Sequence, residues 1–532
     1  MKIVISDSLP ASATELLRSE RWNVDAQPDR SAAELITALR DADALIVRSA
    51  TQVTAELIAS APQLKIIARA GTGVDNVDLE AASQEGVLVV NAPGANSISV
   101  AEHTCALMLS LARSVAHADA LMKAGTWDKK SLQGAELRGK TLGIYGLGRI
   151  GREVARRAQA FEMRIIAHDP YISSQMADDQ AIELVSLDLL CETADFISLH
   201  VPSTAGTRGI LNQQRLSTCK RGVRIINTAR GNLIDESALK DAILSGHVAG
   251  AGLDVFNTEP PLDDTLTGLP QVIATPHIAA STKEAQELVG LETVTCVRDF
   301  LRSGVVRNAV NFPSVTPEDF KRLQPYLILA ERLGSFLGQL TEERVEAVGI
   351  RYYGKLAGHS HDMVVGSVLV GLFRAILSST VTLVNARSLA KQRGLEITES
   401  HSSRPRNFTS LISVKLHTSQ GEIWAEGAVF EPGEPRLVLL DGVEVEAPLG
   451  GTIVVIRNND QPGVIGDVGT IFGKHHLNIT TFALGRGTEG AVGVVSVDED
   501  PSSSATSPDA TNSLVNEIRD VQTVRQVSLV RF

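Results

Sequence analysis

From residue 1 to about 95, short apolar runs alternate with amphipathic segments. Ala44 to Val47, Leu64 to Ile67 and Val87 to Val90 have the length and composition of buried strands, whereas Ala32 to Leu39 repeats its apolar residues at helical spacing. This rhythm predicts helices packed on a parallel sheet. From Ser97 to Lys123 the apolar positions Leu107, Met108, Leu111 and Ala112, preceded by Ser99 and Glu102 in capping-box spacing, predict one long connecting helix. Further strands are expected at Thr141 to Tyr145, Arg164 to His168, Phe196 to Leu199, Arg224 to Asn227, Ala251 to Val255 and Val272 to Ala274, suiting a second parallel sheet.

The pattern changes after Pro313. Phe320 to Leu340 reads as a helix, Val345 to Tyr353 and Glu422 to Phe430 as strands, which places a third unit at about 313–450. Behind Gly450-Gly451 the order strand, helix, strand, strand, helix, strand runs to Phe532, the pattern of a ferredoxin-like sandwich. Between its third strand and second helix, Asp498 to Ser513 is rich in Ser, Thr, Asp and Pro and is expected to be a mobile loop.

Composition narrows the functional classes. A chain of 532 residues with 43% apolar and 21% charged residues is long enough for several ordinary globular domains. A formal charge of -12 disfavours a general nucleic-acid surface but allows a local basic pocket for an anionic metabolite. Cys105, Cys191, Cys219 and Cys296 are scattered without metal-ligand spacing, so no metal is expected and the thiols read as those of a reduced, cytoplasmic protein. No apolar run has the length of a membrane span, and no membrane partner is expected.

Specific chemistry first appears at Gly146-Leu147-Gly148-Arg149-Ile150-Gly151, directly behind the strand candidate Thr141 to Tyr145. In a dinucleotide fingerprint, Gly146 makes the tight turn, Gly148 lets backbone N–H groups approach a pyrophosphate, and Gly151 lets the helix pack close to the strand. The phosphates then meet a helix N-terminus. Asp169, at the end of the next apolar run, is placed to accept from ribose hydroxyls and to repel a 2′-phosphate, which indicates NAD rather than NADP. The plain alternative is an ordinary Gly-rich turn with Asp169-Pro170 closing a strand.

Three later segments each put a reactive side chain after a strand: Arg230 in Asn227 to Gly231, Glu259 in Asp254 to Pro260, and His277 in Thr275 to Ile278. Ligands of open α/β sheets bind at these strand ends. Hydride removal from a secondary alcohol needs a base for the hydroxyl proton, and His277 suits it; Glu259 on the far ring nitrogen would fix the tautomer, and Arg230 would hold a carboxylate. Taken singly, Arg230 reads equally as a surface ion pair, Glu259 as a loop acid and His277 as a turn residue. Their shared position after strands of a nucleotide-binding sheet favours catalysis.

With Leu45 to Ser49, Arg69 to Asn76 and His277 to Gln286 added to these motifs, the chain resembles the D-isomer-specific 2-hydroxyacid dehydrogenase family over nearly its whole length, and within it the long phosphoglycerate dehydrogenases. The resemblance implies a Rossmann-type nucleotide-binding domain (98–284) inserted in a flavodoxin-like substrate domain (1–97 and 285–312). An α+β intervening domain (313–450) and a βαββαβ ACT domain (451–532) would follow. It places the family's catalytic Arg, Glu and His on Arg230, Glu259 and His277. It implies a cofactor site that adds Thr72, Thr228, Ala229, Asp254 and the main chain at Ala280 to the fingerprint and Asp169. Arg48, Arg69, Gly71 and Asn96 would bind the phosphate and carboxylate of 3-phosphoglycerate or 3-phosphohydroxypyruvate. Lys129 and Lys130 would reach the same pocket from a neighbouring subunit of a homo-oligomer, though they read equally as a solvated pair.

In the last domain, Asn458-Asn459-Asp460-Gln461-Pro462-Gly463 and Leu477-Asn478-Ile479 resemble an ACT effector site, which implies L-serine held by Asp460, Asn478 and Asn458. The same residues also suit a plain turn. The intervening domain of some relatives carries a second anion site, but here Leu440 to Glu446 is acidic where cations would be needed. The implied activity is NAD-dependent oxidation of 3-phospho-D-glycerate, the first step of serine synthesis. Alternatives are a dehydrogenase for another D-2-hydroxyacid, an NAD-sensing binding protein, or an amino-acid sensor with a silent catalytic half.

Overall fold

The computed structural model describes residues 1–314, 316–341, 343–354, 361–377, 381–402, 408–488, 490–498 and 508–532, and its strands form four sheets. The first is parallel, with β1 (Lys2–Ile5), β2 (Asn23–Ala26), β3 (Ala44–Val47), β4 (Ile66–Arg69) and β5 (Leu88–Asn91) in the order β2-β1-β3-β4-β5. That is the flavodoxin-like order. Every residue of β3 is buried, as parallel strands covered on both faces require. Helix Lys283–Ser303 brings the chain back to this sheet, burying Val294, Cys296 and Val297 against Ile3, Ile5 and Ile46.

The second sheet contains β6 (Thr141–Tyr145), β7 (Arg164–His168), β8 (Glu183–Leu184), β9 (Phe196–Leu199), β10 (Val223–Asn227), β11 (Val248–Leu253) and β12 (Val272–Ala274). All pairs are parallel, in the order β12-β11-β10-β9-β6-β7-β8. The order reverses between β6 and β9, so a crevice opens where the glycine loop leaves β6.

The expected single helix over 97–123 is two helices, Ser97–Arg113 and Val115–Lys123, bent by 66°. Ser114 stands between them in the left-handed region at φ 49°, which ends the first helix by a cap rather than a continued turn. The expected capping box is absent as well. Asn96 occupies the N-cap, the Ser99 hydroxyl lies 2.7 Å from that of Thr282, and Glu102 pairs with Arg157. Ser99 is thus used for tertiary contact: Thr282 caps the helix Lys283–Ser303, so the two chain crossings between the lobes are joined at their starts.

The third sheet runs β14 (Glu396–Ser402), β13 (Val345–Gly354), β15 (Ser410–Thr418), β16 (Gly421–Phe430), β17 (Glu434–Leu440), β18 (Val443–Pro448), and is antiparallel except for β13 with β14. The fourth has β19 (Thr452–Asn458), β20 (Ile479–Gly487), β21 (Gly490–Val497) and β22 (Val524–Arg531) in the antiparallel order β20-β21-β19-β22. Strand alternation explains how it is held. Ile453 and Val455 enter the core built on helices Pro317–Leu340 and Asp362–Ile376, while Val454 and Ile456 face the unit's own helices.

The acidic run Leu440 to Glu446 forms the β17–β18 hairpin, where Asp441 pairs with Arg457 and Glu446 with Arg436. Asp441 and Glu446 are thus counter-ions of these arginines. Of the expected loop 498–513, residues 499–507 lie outside the described residues, and a helix, Pro508–Arg519, already occupies its last part. Its Pro start explains the misreading, since proline is tolerated in a first helical turn. All four cysteines are free and buried. Among the described residues, no single helix is long and apolar enough to cross a membrane, and no group of His, Cys, Asp and Glu is placed to hold a metal.

Candidate active site

The glycine loop has three distinct steric demands. Gly146 turns at φ 96°, and a methyl group there would lie 2.6 Å from the His200 carbonyl oxygen. At Gly151 a methyl would fall 2.1 Å from the Gly146 oxygen, whereas Gly148, the N-cap of helix Arg149–Ala160, faces open space. The first and third glycines are therefore fixed by turn and packing, and the second leaves room for phosphates at the helix N-terminus. Asp169, just beyond β7, accepts from the Leu147 N–H (2.9 Å) and the Tyr171 N–H (2.9 Å), which holds its carboxylate at the mouth of the loop. These features fit NAD. Ile150 packs into the core beneath the loop, and the Arg149 guanidinium reaches the other lobe, 3.0 Å from where a methyl on Gly94 would be.

His277 and Glu259 come from the segments after β12 and β11. His277 has a left-handed backbone, φ 51°, and its N–H donates to the carbonyls of Asp254 (2.9 Å) and Thr275 (3.0 Å). Its Nδ1 lies 2.8 Å from Glu259 Oε2, and Glu259 Oε1 accepts from the Phe256 N–H at 3.1 Å. A carboxylate only accepts, so Nδ1 of the neutral ring carries the hydrogen and Nε2 keeps a free lone pair. The two side chains are 49% and 39% exposed, open to a ligand.

Asp254, expected at the cofactor, is fully enclosed. It accepts from the Thr275 hydroxyl (2.6 Å) and from the N–H groups of Ile278 (2.9 Å) and Ala279 (2.8 Å), with His103 Nε2 at 3.5 Å. Burial alone would raise its pKa; the bonds from His103, Thr275 and the two N–H groups outweigh it and hold the carboxyl below its ordinary range. The carboxylate thus ties down the turn that carries His277, and Ala280 follows that turn.

Arg230 follows β10, where the Asn227 side chain donates to the Arg230 carbonyl (2.8 Å) and accepts from the Ala229 N–H (3.0 Å). Its Nε and Nη2 each lie 2.9 Å from Asp75 Oδ2, and Nη1 donates to the Ala229 carbonyl at 2.6 Å. Asp75 belongs to the first lobe, so this ion pair spans the cleft. A methyl on Gly73 would be 1.8 Å from Arg230 Nη2, and one on Gly71 would be 1.7 Å from Arg69 Nη1. The loop lacks side chains at these places because two guanidiniums lie across it.

Arg69 is largely buried, and its pKa is lowered to about 10 by that burial and then by the charges of Arg230 and Arg48. Burial works to raise the Asp75 pKa, but Arg230 outweighs it and holds the carboxyl below its ordinary value. Arg48 donates from Nη1 to the Ser8 carbonyl (3.4 Å), and Asp7 accepts from the Arg48 backbone N–H. Three arginines therefore face one cleft.

The remaining expected residues are divided. The Thr72 hydroxyl donates to the Asn96 side chain (2.8 Å), and Thr228 shares a hydroxyl hydrogen bond with Thr104 (2.9 Å), next to the trio. Lys129 and Lys130 stand on an exposed segment after helix Val115–Lys123, with the Lys129 ammonium over the Trp127 ring. No described contact brings either to the arginines. In the last unit the Asn458 side chain is buried and accepts from the Asp460 N–H (2.9 Å), Arg486 holds the Asp460 carboxylate (3.1 Å), and Asn478 is exposed before β20.

Sequence reasoning assigned no role to Asp75, Asn76, His103 or Thr275. Asn76 donates to the carbonyls of Arg48 (2.7 Å) and Thr51 (2.6 Å), and His103 lies 3.0 Å from the Thr275 hydroxyl. The first two sit in the Arg69 to Asn76 run and Thr275 opens the segment that carries His277; nothing local marks His103.

A Rossmann sheet with an acidic second-strand end, and a His–Glu pair and an arginine at neighbouring strand ends, defines an NAD-dependent oxidoreductase. Family models match in three places: the NAD-binding domain of D-isomer specific 2-hydroxyacid dehydrogenases over 105–279, the D-3-phosphoglycerate dehydrogenase intervening domain over 322–441, and an ACT domain over 452–507. A D-3-phosphoglycerate dehydrogenase of Methanocaldococcus jannaschii is 40% identical, covering 100% of both chains. One of Mycobacterium tuberculosis is 42% identical, covering 92% of each. Among solved structures, D-lactate dehydrogenase from Aquifex aeolicus in complex with NAD and lactic acid superposes with a TM-score of 0.53 at 30% identity, over 59% of this chain and 100% of that one. The chain belongs to the D-3-phosphoglycerate dehydrogenases of the D-isomer-specific 2-hydroxyacid dehydrogenase family.

Proposed function

We propose that the protein interconverts 3-phospho-D-glycerate and 3-phosphohydroxypyruvate with NAD, the entry step to L-serine synthesis. The observation that carries this reading is the 2.8 Å His277–Glu259 pair, set at the same sheet edge as Arg230. The full-length similarity to proteins named D-3-phosphoglycerate dehydrogenase supports the substrate.

His277 Nε2 takes the proton of the C2 hydroxyl, and Glu259 steadies the imidazolium that results. Arg230 fixes the substrate carboxylate, while Arg48 and Arg69 supply charge for the phosphate. NAD, held by the glycine loop and Asp169, would supply the hydride acceptor for C2. Asp254 acts through the turn it holds, as a positioning residue. The enzyme works as a cytoplasmic homo-oligomer whose Lys129 and Lys130 complete a neighbour's pocket. Its ACT unit senses L-serine through Asp460 and Asn478, with Asn458 shaping their turn.

The test is NADH oxidation with 3-phosphohydroxypyruvate against unphosphorylated 2-keto acids, each with and without L-serine. Preference for the phosphorylated acid and suppression by serine are expected. Equal rates with unphosphorylated acids would overturn the Arg48 and Arg69 assignment, and absence of turnover with every acid would point to a binding protein.

A further inference from the structure

Arg230 is already engaged. The side of its guanidinium that grips a carboxylate, the edge carrying Nε and Nη2, closes on Asp75 Oδ2 with both distances at 2.9 Å, and Nη1 is turned to the Ala229 carbonyl. The Asp75 side chain is 59% exposed and reaches in from the opposite lobe, past a glycine whose methyl would strike both Arg230 and Asp75. An exposed carboxylate on a short side chain can leave; a buried one with several donors, such as Asp254, cannot.

We infer that Asp75 is a resident carboxylate that occupies the Arg230 fork and yields it to the carboxylate of the substrate. The inference rests on the reading that Arg230 anchors that group. Three guanidiniums around one cleft repel each other, and Asp75 supplies the opposing charge to Arg69 and Arg230 together. Its displacement has an energetic consequence. Exchanging one carboxylate for another on the same fork gains little, because the new charge-assisted bonds resemble those lost. Net affinity must then come from a second anionic group meeting Arg48 and Arg69. Asp75 thereby sets a threshold that a monoanionic 2-keto acid does not pass and a doubly charged one, carboxylate plus phosphate, does. It is an internal competitor that weakens both acids alike and leaves the choice between them to Arg48 and Arg69, with no part in the bond-making step.

The experiment compares KM and kcat for 3-phosphohydroxypyruvate and hydroxypyruvate in the full-length enzyme and in Asp75→Asn, Asp75→Glu and Arg230→Lys. With the competitor's charge removed, Asp75→Asn lowers KM for both acids by a similar factor, roughly fivefold for a half-exposed pair, with kcat moving less than KM. Asp75→Glu, which restores the carboxylate, returns KM toward the wild-type value. A KM that rises or stays unchanged in Asp75→Asn overturns the inference, because an aspartate that merely braced the loop or oriented Arg230 would weaken binding when lost. The two readings fail separately. Full turnover in Arg230→Lys sinks the anchoring role itself, whereas a collapse there beside an unchanged KM in Asp75→Asn sinks only the resident carboxylate.

Discussion

Nδ1 of His277 stands 2.8 Å from Oε2 of Glu259, and the other Glu259 oxygen is held by the Phe256 N–H. The two residues reach this arrangement by separate means. Glu259 is fixed within its own loop, and His277 is aimed by a left-handed backbone whose N–H bonds to the Asp254 carbonyl. Neither depends on the other for its position, so each can be replaced without unmaking the fold.

Glu259→Gln keeps the shape of the side chain but offers an amide where the imidazolium needs a negative charge. We expect kcat to fall about 100-fold with KM for NADH nearly unchanged. His277→Ala removes the base and should lower turnover by about 1000-fold or more, with nucleotide binding retained. Steady-state kinetics and fluorescence titration with NADH separate the two effects. Full turnover in His277→Ala would refute its role as base.

Gly73→Ala tests whether the arginine, rather than the loop, matters. The added methyl would sit 1.8 Å from Arg230 Nη2 and 2.7 Å from Asp75 Oδ2. Both atoms end flexible side chains, so they move and the backbone need not. The expected result is a roughly tenfold or larger rise in KM for the keto acid, with the thermal midpoint close to wild type. A large loss of stability would show that the glycine serves the backbone instead.

Much of this was legible in the chain because it rests on local pattern. The glycine loop, Asp169 and the three strand-end residues declare themselves by spacing and by what precedes them, and their geometry follows from strand–turn–helix connections. At Ser99 a tertiary contact overrode a local signal. Ser99 fits a capping box by spacing, yet its hydroxyl is taken by Thr282, 183 positions away. The helix expected to run through Ser114 breaks there, although the apolar pattern continues. Asp75 and His103 were invisible because their partners lie in another lobe or segment and no periodicity encodes such pairs.

Asp169 supplies a prediction about the cofactor. Its carboxylate is preset by the Leu147 and Tyr171 N–H groups at the loop mouth, where a 2′-phosphate would meet like charge. In Asp169→Ala, KM for NADH should rise roughly tenfold through loss of the ribose acceptor, while use of NADPH improves. The ratio of kcat/KM for the two nucleotides measures this, and an unchanged ratio would show that discrimination lies elsewhere.

Asp254 links the site to stability. Its carboxylate is enclosed, with both oxygens bound and its pKa held below the ordinary value despite burial, so it favours the folded state only when ionised. A depressed folded-state pKa fixes the sign. The stabilisation is fully present above the unfolded value, about 3.9 for an aspartate, and disappears as pH falls through the lower folded value. Asp254→Ala, which strands the Thr275 hydroxyl and the Ile278 and Ala279 N–H groups, should cost about 3 kcal/mol at neutral pH and reduce kcat, because the turn bearing His277 loses its anchor. Thermal scans across pH check the account. The gap between wild type and variant should stay constant between about pH 7 and 5 and narrow below about 4, where the carboxyl of the unfolded chain takes up a proton that the folded one still refuses. A gap that held steady into strong acid would mean that Asp254 contributes through packing rather than charge, and the turn would then have to be held by the backbone bonds of His277 to the Asp254 and Thr275 carbonyls alone.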